Sequence, residues 1–232
     1  MKKKLYQSEV NVYNKKLGSS SPPSYPNEML VRICSSKNFS ELTKTLFKKK
    51  VKVCEIGCLA GNNLRFFSDK KFNVTGIEIN KYLISLCRKY LKKFNVKKKI
   101  DLKLGHNLNL PLRKGELDLL VSINTIHYSY GQDVYKCLDS FKSVVKKNGV
   151  VIIETAAPNH ILFKRSVRIG SLHYKFKLPT KDHRENIDIG LFDNEKQFRN
   201  ILKKKFTKIE ILRRTEQYYN KTYDWFVAIC KV

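Results

Sequence analysis

A chain of 232 residues with 42% hydrophobic content fits one domain with a sizeable core. No segment reaches the ~18 to 20 continuous apolar residues of a membrane span, and no apolar run follows the basic start "MKKKLYQSEV", which excludes a signal peptide. The net charge of +27 suits RNA, an anionic membrane face or a phosphorylated metabolite; but 37 of the 47 basic residues are dispersed Lys, which reads first as a solvated surface.

In chain order, residues 1–48 read as an N-terminal leader and helical cap. The loop "GSSSPPSYP" breaks it, and a helix follows Pro26 with Met29, Leu30 and Ile33 on one face. Ser40 caps a second helical stretch. Residues 49–156 alternate apolar runs (51–56, 72–79, 100–104, 117–123 and 149–155) with amphipathic segments. That alternation predicts βαβ units and a parallel sheet covered on both faces. Residues 157–192 are basic and aromatic without clear period, and read as an inserted lid. Residues 193–232 give a last helix and two strands, "KIEILRR" and "YDWFVAICKV". The six cysteines are scattered, with no CxxC pair. They predict idle thiols of a reducing cytoplasm and no metal site.

The turn "KVCEIGCLAG" concentrates the chemistry. Gly57 and Gly61 allow a tight turn and a close approach to the main chain, and the helix beginning near Gly61 offers free N–H groups. Glu78 ends the next strand, where it can accept both hydroxyls of a ribose. The pattern predicts an adenosine-type cofactor. A dinucleotide would need Gly-x-Gly-x-x-Gly.

With Glu55 before the glycines and Glu78 on the second strand, the chain resembles the class I S-adenosylmethionine-dependent methyltransferases. "LGHNLNLPLRKGELDLLVS" and "VVKKNGVVIIET" match that family's adenine loop and its fourth and fifth strands. The resemblance implies a seven-stranded, mostly parallel α/β Rossmann-like sheet, S-adenosylmethionine as cofactor and S-adenosylhomocysteine as product. It carries cofactor contacts onto Glu55, Gly57, Cys58, Gly61, Glu78, Ile79, His106, Asn107 and Asn124, with Arg32 of the leading helix for the cofactor's carboxylate. Tyr6 and Tyr13 of the leader are candidates to close over it. Two positions depart from the family pattern: Leu59 replaces its middle glycine, and His106 replaces the usual Asp of the adenine loop.

Acceptor chemistry is expected beyond the fourth and fifth strands. His127 is the candidate base, with Tyr128 beside it; Asn124, Tyr130, Glu154 and His160 are near in sequence. In the lid, His160, Arg165, Arg168, His173, Tyr174 and Lys175 suit an anionic acceptor. The chain looks similar to stand-alone methyltransferases of surface-polysaccharide biosynthesis, which implies a sugar or its phosphorylated precursor. The rival readings are an RNA methyltransferase and a non-catalytic cofactor-binding subunit.

Overall fold

The computed structural model describes residues 24–47, 50–96, 100–177 and 187–232. A seven-stranded sheet dominates, in the order β3-β2-β1-β4-β5-β10-β9. Its strands are β1 (Lys52–Ile56), β2 (Asn73–Glu78), β3 (Asp101–Leu104), β4 (Leu117–Ile123), β5 (Val145–Ala156), β9 (Lys208–Tyr218) and β10 (Lys221–Lys231). The first five run parallel, whereas β10 is antiparallel to both β5 and β9. The strand order therefore reverses beside β1, which opens a crevice at the carboxyl ends of β1 and β4.

Burial explains why these runs become strands. Val53, Cys54, Leu119, Leu120, Val121, Val150, Val151 and Ile152 are buried on both faces of the sheet. One face packs on α4 (Gln132–Val144) and α6 (Glu195–Lys203) through Phe141, Phe198 and Leu202. The other packs on α1 (Glu28–Ser35), α2 (Asn62–Asp69) and α3 (Lys81–Lys93) through Ile33, Leu64, Phe67 and Cys87. Asparagine side chains start three of these helices: Asn27 accepts from Leu30 N, Asn80 from Leu83 N and Asn194 from Gln197 N. Ser40 caps only a short 3-10 turn, Glu41–Phe47.

The lid carries structure that its sequence hides. After the short α5 (Ile161–Lys164), β6 (Ser166–Gly170), β7 (His173–Phe176) and β8 (Asp188–Ile189) make a separate antiparallel sheet. Only β7 alternates, burying Tyr174 and Phe176, while Val167, Arg168 and Ile169 of β6 face solvent. The sheet is tied to the loop after β4 by Gly131 N to Leu172 O, 2.9 Å, and by Gly190 N to His127 O, 2.8 Å. β5 also begins earlier than its apolar run predicts, because α4 passes directly into Val145 and the register with β4 shifts between Leu117 and Leu119. All six cysteines are free and buried, and no helix among the described residues is long and apolar enough to cross a membrane.

Candidate functional site

A cavity of about 230 Å³ opens at the carboxyl ends of β1, β2 and β4. Ile56, Gly57 and Leu59 form its floor, Glu78 and Ile79 one wall, His106 and Asn107 a second, and Asn124, Thr125 and Tyr128 the third. Gly57 has φ +70°, and a Cβ there would sit 2.4 Å from Thr125 Oγ1. Thr125 is fixed in turn by Ile56 O at 3.1 Å and Ile123 O at 3.0 Å. Only glycine fits this corner.

Leu59 follows a glycine's path at a cost, with φ +45°. Its N–H donates to Glu78 Oε1 at 2.7 Å, a charge-assisted bond that holds the turn. Glu78 Oε2 accepts from Ile79 N at 3.1 Å. Each carboxylate oxygen thus receives one backbone N–H and keeps a further lone pair, a pair of acceptors that fits the two O–H donors of a vicinal diol. Burial raises the Glu78 pKa, and the two backbone bonds oppose that rise.

A methyltransferase-domain family matches residues 54–153. The fold is shared with a SAM-dependent methyltransferase from Methanosarcina mazei, 17% identical, TM-score 0.67, over 83% of this chain and 97% of that one. It is shared too with an S-adenosylmethionine-dependent methyltransferase from Clostridium acetobutylicum, 14% identical, TM-score 0.61, over 96% and 98% of the two chains. A structure solved for the conversion of a disulfide bond into a thioacetal group during echinomycin biosynthesis superposes with TM-score 0.66 at 14% identity, over 97% and 93%. Residues 54–153 carry a methyltransferase domain, on the fold of the S-adenosylmethionine-dependent methyltransferases. S-adenosylmethionine is its cofactor and S-adenosylhomocysteine its product.

The methyltransferase keeps its other acids out of water. Glu55, behind the floor, is buried; its Oε1 accepts from Asn63 Nδ2 at 2.6 Å and its Oε2 has no partner among the described residues. Burial pushes its pKa up to about 8, opposed by the Asn63 bond and reinforced by Glu78. An orphaned, buried carboxylate oxygen beside the pocket is what a cationic ligand would satisfy. His106 has a lowered pKa, again from burial, and its Nδ1 accepts from Leu108 N at 3.1 Å, so the proton of the neutral ring lies on Nε2.

Several predicted residues lie elsewhere. Arg32 is exposed on α1 and pairs with Glu28 at 2.7 Å, four residues back on the same face, rather than reaching the pocket. Cys58 is buried against Cys87 and Gly76 behind the loop, and Gly61 caps α2 in the left-handed region at φ +79°, so neither lines the cavity. His127 is turned inward and buried, its ring 4.5 Å from that of Tyr128; Tyr128 alone of the two lines the cavity. The buried His127 ring is thus not among the groups that line the cavity.

The lid residues are not brought to the cavity either. Arg168 pairs with Asp193 at 3.2 Å, and Tyr174 also bonds Asp193. His173 lies 3.2 Å from Asp188 and stacks on Tyr130 at 4.5 Å. His160 caps α5 and meets Tyr223 and Trp225 edge-on. Arg165 ends α5 and Lys175 belongs to β7. Tyr6 and Tyr13 lie outside the described residues.

Sequence reasoning missed Asn27, Asn63 and Arg214. They form a polar seam with Glu55, Glu154 and Asn124 beneath the same edge of the sheet. A hint was available in the sequence: Asn27 follows Pro26 at the start of a helix, the position of a capping residue.

Proposed function

We propose that this methyltransferase holds its cofactor with Glu78 on the ribose hydroxyls, Ile79, His106 and Asn107 around the adenine, and the Gly57–Leu59 turn against the amino-acid end. The observation that carries this reading is the Glu78 carboxylate: both oxygens are pinned by backbone N–H groups and both keep acceptor capacity toward the cavity. Glu55, protonated in the ligand-free protein near neutral pH, adds buried negative charge when a ligand cationic at sulfur and nitrogen displaces its proton.

The bound cofactor supplies a methyl group already activated on a sulfonium. The protein's share is to hold an acceptor in line and within ~3 to 3.5 Å. Asn124 and Tyr128, at the exit of β4, occupy the side from which an acceptor approaches. With His127 turned away, the Tyr128 hydroxyl takes its place as the group that orients the acceptor.

We propose a small metabolite as the acceptor, a sugar or its phosphorylated precursor of the kind used in surface-polysaccharide assembly. The lid supports the anionic half of this reading: its described stretch 157–177 carries Lys164, Arg165, Arg168, Lys175 and Lys177 and no acidic residue. RNA is the second reading, favoured by the net charge of +27.

Incubating the protein with methyl-labelled cofactor and a panel of sugars, sugar phosphates, nucleotide sugars and RNA, read by product mass, tests both. Label in a sugar or sugar phosphate is expected. Label at one defined RNA position, surviving physiological salt, would replace the small-molecule reading.

A further inference from the structure

Glu154, near the end of β5, is fully buried, yet its side chain gathers three distant parts of the chain. Asn27 Nδ2 donates to both its oxygens, at 3.1 and 3.2 Å. Asn124 Nδ2 donates to Oε1 at 3.0 Å. Arg214 of β9 lies 3.6 Å from Oε2, its guanidinium packed 4.1 Å over the Trp225 ring. These donors come from the segment before α1, the exit of β4 and the C-terminal hairpin.

Asn124 is the informative partner, because it lines the cofactor cavity in the left-handed region, at φ +52°. Two bonds from one residue hold it there: its N–H donates to Glu154 O at 3.0 Å, and its amide nitrogen to the carboxylate. With the amide nitrogen so occupied, the plane of the side chain is set and its oxygen is left for the cavity. Asn27 is committed elsewhere as well. Its Oδ1 caps α1, its backbone N–H donates to Asn63 Oδ1 at 2.8 Å, and Asn63 in turn holds Glu55. A continuous path of hydrogen bonds therefore joins the acid of β1, the start of α1, the acid of β5 and the wall of the cavity.

We propose that Glu154 is a positioning residue: it couples the segment before α1 and the C-terminal hairpin to the pose of Asn124, and so to the methyl side of the pocket. A carboxylate is required because every neighbour offers a donor. Glutamine has the same shape but presents one acceptor oxygen and one donor amide: with its oxygen toward Arg214 the Asn124 bond is lost, and with its oxygen toward Asn124 its amide meets Asn27 Nδ2 and Arg214 donor against donor. The inference rests on the pocket's being the cofactor site, as proposed above.

The test uses the full chain with S-adenosylhomocysteine as probe. Glu154→Gln is expected to weaken its binding roughly three- to tenfold, the scale of one net hydrogen bond, with a melting temperature within a few degrees of the parent. Hydrogen exchange supplies a readout that a purely structural role would not move. In the parent, the probe should slow exchange over residues 24–35; in Glu154→Gln, at saturating probe, that slowing should be lost. Asn27→Ala approaches the joint from its other end, should reproduce both effects, and should add little in the Glu154→Gln background. If Glu154→Gln does not fold, Asn27→Ala alone decides.

Parent-like affinity in the variants, or slowing of residues 24–35 that persists, overturns the inference while leaving the cofactor site intact. If the parent itself does not bind the probe, the cofactor-site reading fails and the inference fails with it.

Discussion

The two halves of the sheet's carboxyl edge treat buried acids in opposite ways. On β1 and β2, Glu55 and Glu78 meet only amide and backbone donors, and burial raises both pKa values. On the β5–β10 side the acids meet arginine. Arg213 grips Asp224 with two bonds of 2.9 and 2.6 Å, and Arg214 stands 3.6 Å from Glu154, where it opposes the rise in pKa that burial still imposes. Burial acts to raise the Asp224 pKa as well, but the bonds from Arg213 and Thr215 hold it below its ordinary value. A chain with 47 Lys and Arg residues could have paired every buried acid. Acids left without a cation mark where the missing positive partner is a ligand, while Asp224, gripped within the chain, serves the fold.

The difference can be broken most severely through pH. The folded pKa of Glu55, about 8, lies above its ordinary value of 4.5, so the native state holds a proton that the unfolded chain releases. The contribution of Glu55 to stability is therefore fully present below about 4.5 and is lost as pH rises toward about 8. The loss approaches ~1.4 kcal/mol per pH unit between those limits. Denaturant melts of the ligand-free protein from pH 5 to 8 should show this fall, and Glu55→Gln should flatten it. Binding the cationic cofactor near pH 7 should expel the proton, seen as a buffer-dependent heat that the same substitution removes.

Arg213→Ala makes the converse point. It takes the cation from the fully buried Asp224, leaving it the Thr215 and Asn159 bonds, and should cost about 1.5–3 kcal/mol of stability, the scale of bonds to a charged group, while cofactor affinity stays unchanged. Equal damage to binding would mean that the two halves are not separable.

The lid is a weaker test. Arg168 is more than half exposed, so Arg168→Ala should change stability by less than ~1 kcal/mol and leave S-adenosylhomocysteine affinity alone. Slower turnover of an anionic acceptor in that variant would bring the lid into the acceptor site. Smallest of all, Arg32→Ala removes only an exposed pair within α1, worth ~0.3–0.5 kcal/mol in a thermal melt. A large loss of cofactor affinity would restore Arg32 to the carboxylate role.

These contrasts also explain what the sequence could tell. The strands around the crevice are short runs of Val, Ile and Leu buried on both faces, so composition alone marks them. Gly57 and Glu78 are legible because the backbone and the strand end leave little choice of residue. The Leu59 departure looked disruptive, yet the backbone bond to Glu78 lets the loop keep its course. The seam was illegible because Asn27 and Glu154 meet across 127 residues, and nothing local in either segment announces a long-range pair. Arg32 misled because a lone Arg in an apolar helix looks purposeful, until Glu28 is placed one turn away. His127 misled through its neighbourhood: it follows the right strand, but in the 3-10 turn Ile126–Tyr128 it is buried while Tyr128 lines the cavity.

The central claim is that the β1–β2 half binds the cofactor through an acid left free for it. Calorimetric titration of S-adenosylhomocysteine into the parent and into Glu78→Ala tests this most directly. The account predicts clear binding to the parent, weakened by about 1.5–3 kcal/mol in the variant, with NAD and ATP binding far more weakly to either. Equal affinity for S-adenosylhomocysteine in the two proteins would contradict it.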